Sequence, residues 1–152
     1  HPAGPLAALR RGHKASEIVN EKPIVPDGVG PHELRELDLM LAGEKPLAMF
    51  VDEDPGNFII PEADFDPHVQ AGTFIKGEAV YRKPDVSYAP RHVYFALPSE
   101  GWRIDAMHAI NEAICTGRRK ATDEDEREIG RLLGYSRAQV QAFLDWRNQL
   151  QP

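Results

Sequence analysis

Hydrophobic positions along this chain alternate between two rhythms, one helical and one extended. Leu34, Leu37 and Leu41 recur three and four residues apart. With Pro31 suited to a first helical turn, Gly43 as a stop and Pro46 just beyond, they predict a helix over 31–42. Leu47–Val51 is an unbroken apolar run closed by Asp52-Glu53-Asp54-Pro55-Gly56-Asn57, which reads as a buried strand and a polar turn. A short strand at Phe58–Ile60 and a helical turn over Glu62–Val69 are expected next. Thr73–Arg82 and His92–Leu97 are rich in β-branched and aromatic residues and predict two antiparallel strands. The helical rhythm returns over Trp102–Thr116, where Ile104, Met107, Ile110 and Ile114 form one face and Gly117 ends the segment. Arg118, Arg119 and Lys120 then complement its negative pole.

The last thirty residues carry the most closely specified local structure. Thr122 is placed to cap a helix over 123–133, with Asp123, Glu124 and Asp125 at its positive end. Gly134 can supply the left-handed residue of a reversal. Ser136 and Gln139 form a capping box for a second helix, and Tyr135 and Val140 a hydrophobic staple. The expected fold class is therefore α+β. A small, mostly antiparallel sheet is flanked by the 31–42 and 102–116 helices, and a helical hairpin over 122–150 closes the chain. Residues 1–30, with Pro2, Pro5, Pro23, Pro26, Gly28 and Gly30, are expected to form an irregular arm, and 31–152 a single domain.

Composition narrows the function classes. The 152 residues carry a net charge of −6, which argues against a surface built mainly to neutralise phosphates. Residues 118–152 hold seven Lys/Arg against six Asp/Glu, or +1, leaving −7 for the remainder. The arm adds a basic cluster at Arg10-Arg11-Gly12-His13-Lys14. Cys115 is the only cysteine, which fits a reducing, cytoplasmic setting. No apolar run approaches the roughly 20 residues of a membrane span.

Residues 126–145 resemble the helix-turn-helix of DNA-binding regulators. Counting from Glu126, Gly130 is fifth and Gly134 ninth, while Ile129, Leu133, Val140 and Phe143 fall fourth, eighth, fifteenth and eighteenth. In that family the fifth position is small because the two helices cross closely there. The resemblance implies that Arg137, Gln139 and Gln141 face base edges, Arg137 able to make a bidentate contact to guanine. The run Asp123–Glu126 opposes this reading, since it sets four carboxylates where the family approaches phosphates. Asp145 and Trp146 oppose it too, standing where basic residues would serve better.

Other constellations are sparser. Asp105, His108 and Glu112 share one helix face and could hold a divalent metal or act as acid and base, but no second cluster with metal-ligand spacing supports that, and a solvated polar face is the expected reading. The acidic loop from Asp52 lacks the Gly at position six and the Glu at position twelve of a calcium loop. Glu62, Asp64, Asp66 and His68 form a second acidic patch. Cys115 lies beside cations that favour thiolate. No cofactor is expected. The reading that follows is a non-enzymatic cytoplasmic regulatory or adaptor protein that binds another macromolecule, expected to be a protein. Its alternatives are a DNA-binding regulator using the C-terminal hairpin and a small metal-dependent enzyme.

Overall fold

The computed structural model describes residues 32, 34–52 and 59–150. Its elements are α1 (Glu36–Leu41), β1 (Leu47–Asp52), α2 (Glu62–Gln70), β2 (Ile75–Val80), β3 (Arg91–Ala96), a 3-10 turn (Pro98–Glu100), α3 (Trp102–Cys115), α4 (Asp123–Leu132) and α5 (Arg137–Leu150). The strands form one antiparallel sheet in the order β1-β3-β2, with β3 at its centre. The α+β architecture follows directly.

Period-two alternation in β1 and β3 divides the core between the two sheet faces. Leu47, Met49, Val51, Tyr94 and Ala96 face one way and pack with Met107 of α3, Ile129 and Leu132 of α4, and Val140, Phe143 and Leu144 of α5. Ala48, Phe50, Val93 and Phe95 face the other way and pack with Met40 of α1, Phe65 of α2, Ile60 and Phe74. Both strands are buried on both faces, which is why they read as continuous apolar runs and not as alternating ones.

Two expectations change. The first helix is shorter than 31–42: it begins at Glu36, and Leu34 lies outside it with φ +66° and an exposed side chain. A left-handed residue cannot continue a right-handed helix, so Leu34 leaves the apolar face it was assigned to. Ile59 and Ile60 are not in a strand, and Phe58 lies outside the described residues. The irregular arm over 1–30, with its basic cluster, and positions 53–57 of the acidic loop also lie outside them.

The helical hairpin and its outer groove

Helices α4 and α5 meet at Gly130. A β-carbon built there would collide with Cγ2 of Val140. The small residue expected at the fifth position therefore sits where the two helices touch with no room for a side chain. Ile129, Leu132, Val140 and Phe143, all close to fully buried, anchor the hairpin on the sheet.

The turn satisfies its own backbone. Gly134 has φ +92°, and its N–H donates to Arg131 O while Tyr135 N–H donates to Gly130 O. That pair of bonds is a Schellman ending with glycine at its left-handed position. At the start of α4, Thr122 Oγ1 accepts from Asp125 N–H, and Thr122 N–H donates back to the Asp125 carboxylate. At the start of α5, Ser136 Oγ accepts from Gln139 N–H and Ser136 N–H donates to Gln139 Oε1.

Two cations from outside the hairpin complete it. Arg103 Nη1 of α3 donates to Arg131 O at 3.0 Å and to Leu132 O at 3.2 Å. Lys45 Nζ, from the turn before β1, donates to Leu133 O at 2.5 Å and to His32 Nδ1 at 2.9 Å. The last carbonyls of a helix carry its negative pole, so cations there satisfy both hydrogen bonding and charge. Lys45 is 2% exposed and sits 5.1 Å from the centre of the Tyr135 ring, on which His32 also stacks. Burial pushes the Lys45 ammonium well below the usual lysine range, with the nearby Glu36 carboxylate pulling the other way. Glu36, itself buried, is raised by the same desolvation. His32 is pushed down to about 4, first by burial and then by the charges of Lys45 and Arg35. Nothing in the polar stretch Gly43-Glu44-Lys45-Pro46 marks Lys45 as buried, because its partners lie far along the chain.

The outer side of the hairpin is a groove of about 310 Å³ lined by Glu124, Arg127, Glu128 and Arg131 of α4, Tyr135, and Arg137, Val140 and Gln141 of α5. Arg127 pairs with Glu124 at 3.0 Å, and Arg131 with Glu128 at 2.7 Å. Arg137 is exposed and makes no ion pair among the described residues. Of the three side chains singled out for base reading, Arg137 and Gln141 point to solvent on one face of α5. Gln139 does not join them, because its amide oxygen is taken up by the capping box. Gln141 donates to Asp145 Oδ1 at 2.9 Å. Beside the groove, exposed Trp102 is flanked by Arg103 and Arg131, whose guanidinium carbons lie 4.6 and 5.8 Å from its ring centre.

Asp105, His108 and Glu112 share the outer face of α3 as their spacing requires, and all three are exposed. His108 Nε2 lies 3.8 Å from Glu112, and its Nδ1 lies 2.9 Å from Tyr81 Oη. Among the described residues, no group of three or more His, Cys, Asp or Glu is placed to hold a metal ion. His108 belongs instead to a polar chain that sequence spacing does not reveal. Tyr81 Oη lies 2.7 Å from Tyr94 Oη, which accepts from Asn111 Nδ2 at 3.0 Å. Burial, followed by the neighbouring Tyr94, holds the Tyr81 hydroxyl far above the usual tyrosine range, so it stays protonated. Cys115 Sγ lies 4.0 Å from His92 Nε2 at the edge of this chain. Glu62 and Asp66 of the second acidic patch are tied to Lys76 at 2.7 and 2.9 Å, and Glu62 also to Arg91.

The chain matches no family model, no curated protein and no solved structure. No helix among the described residues is long and apolar enough to cross a membrane.

Proposed function

We propose that this chain is a non-enzymatic regulatory or adaptor protein that binds another protein through the outer groove of the α4–α5 hairpin. The observation that carries this reading is the make-up of that groove. Its wall includes Tyr135 and Val140, its rim alternates Arg and Glu, and Arg137 stands without an ion pair among the described residues. Such a surface suits a partner side chain that offers an apolar body and a carboxylate for Arg137. Glu124 and Glu128 on the rim neutralise Arg127 and Arg131 and repel phosphates, which disfavours a duplex.

A second reading, DNA recognition, draws on the exposure of Arg137 and Gln141 on the second helix of a closely crossed hairpin. A mobility shift at low salt separates the two, because phosphate contacts are strongest there. Retention of any duplex, lost in Arg137→Ala, favours the second reading. The first expects no retention, together with a protein adduct from a photo-crosslinking side chain at position 141. The absence of any protein adduct from that position contradicts it.

A further inference from the structure

β2 lies at a margin of the sheet. Among the described residues its backbone makes no hydrogen bond outside the ladder with β3. A bare strand edge is a template for another strand. No residue of β2 is buried: Ile75, Glu78 and Val80 are exposed and Lys76, Gly77 and Ala79 half-buried, with Ile75 and Val80 at its two ends 39% and 51% accessible.

Its sequence, Ile75-Lys76-Gly77-Glu78-Ala79-Val80, is complementary to itself when reversed about Gly77. Laid antiparallel against a second copy in that register, Lys76 stands opposite Glu78, Gly77 opposite Gly77, and Ile75 opposite Ala79. Directly opposite residues share a sheet face, so twofold symmetry makes the Lys76–Glu78 pairing twice. Both side chains are already held on the face that carries α2. Lys76 pairs with Glu62 and Asp66, and Glu78 with Arg91 at 2.7 Å, yet Glu78 keeps half of its side chain exposed. On the other face, Gly77 lies under Ile104 of α3, where a β-carbon would approach to 3.0 Å.

We propose that β2 pairs antiparallel with β2 of a second copy of this chain, in the register centred on Gly77, extending the three-stranded sheet to six strands. The occupant is a second copy because the charge pattern complements itself. The pairing stands apart from the α4–α5 groove and does not depend on what binds there.

Sedimentation equilibrium of the full chain over a range of concentrations tests this, read together with hydrogen exchange. The expected result is a dimer at the upper concentrations, with amides of 75–80 slowed relative to dilute protein. Glu78→Lys puts two lysines opposite one another at each pairing and should weaken the dimer by roughly fivefold or more. Lys76→Glu should weaken it in the same way. An equimolar mixture of the two variants should dimerise again, because every opposed pair is then of opposite sign. Should Lys76→Glu unfold beside Glu62 and Asp66, the wild-type exchange data and Glu78→Lys still decide. A monomer at every concentration overturns the proposal, as does a dimer that Glu78→Lys leaves unchanged or one without slowed exchange at 75–80.

Discussion

Gly130 and Val140 touch where α4 crosses α5, with no room between them for even one methyl group. Gly130→Ala sets two effects against each other. Alanine is the better helix former by up to about 1 kcal/mol. Overpacking a close crossing costs about 1–3 kcal/mol, and Val140 is locked in the core. Net destabilisation is therefore expected in urea unfolding. Adding Val140→Ala should recover part of it, with a favourable coupling of about 1 kcal/mol in the double-mutant cycle. Simple additivity would show that the contact does not set the crossing.

Lys45 ties the start of the described chain to the hairpin turn through Leu133 O and His32. Lys45→Met removes the positive charge that favours the buried Glu36 carboxylate and leaves Leu133 O without its donor. The expected loss is about 1–3 kcal/mol. Glu36→Gln in the same background should restore part of it, since the uncompensated charge is then removed. Equal losses in the single and double variants would mean that the Leu133 bond, not the charge of Lys45 near Glu36, carries the effect.

The same cluster makes stability depend on pH. Burial pushes His32 down to about 4 in the folded protein from 6.5 in the unfolded chain, so between these values mainly the unfolded state holds its proton. Its contribution is complete above 6.5 and is lost as pH falls toward 4. Lys45, depressed below 10.5, has the same sign: the unfolded chain holds its proton to higher pH, so stability rises with pH up to the ordinary lysine range. Glu36, raised above 4.5, opposes both just above that value. The melting temperature should climb from about pH 4 to 6.5, and His32→Gln should flatten the climb. An unchanged slope in that variant would remove His32 from the account.

Local chemistry was legible in the sequence wherever neighbours decide the structure. Thr122 and Asp125, Ser136 and Gln139, and Gly134 bond within three to five residues of themselves, and all take their expected places. The strands were legible too, because burial on both faces leaves an apolar run. Legibility failed where distant residues decide. Lys45 is buried because Leu133, 88 residues away, needs a donor. His108 turns to Tyr81, 27 residues away, and Leu34 leaves its helix despite its spacing. For the candidate site, the helix-turn-helix resemblance named Arg137, Gln139 and Gln141, and of these Arg137 and Gln141 are exposed. The sequence assigns Gln139 both to the cap and to base reading, and the cap takes its side-chain oxygen.

The capping box at Ser136 orients the first turn of α5 and with it Arg137. Ser136→Ala should cost about 1 kcal/mol of stability, measured by denaturant unfolding. A loss below a few tenths would mean that the Gly134 ending alone fixes the turn.

The groove reading is tested most directly by a photo-crosslinking side chain at position 141, read in cells with and without Arg137→Glu. The account predicts a discrete protein adduct that the charge reversal abolishes, and no adduct with DNA. A DNA adduct, or a protein adduct indifferent to Arg137, would contradict it.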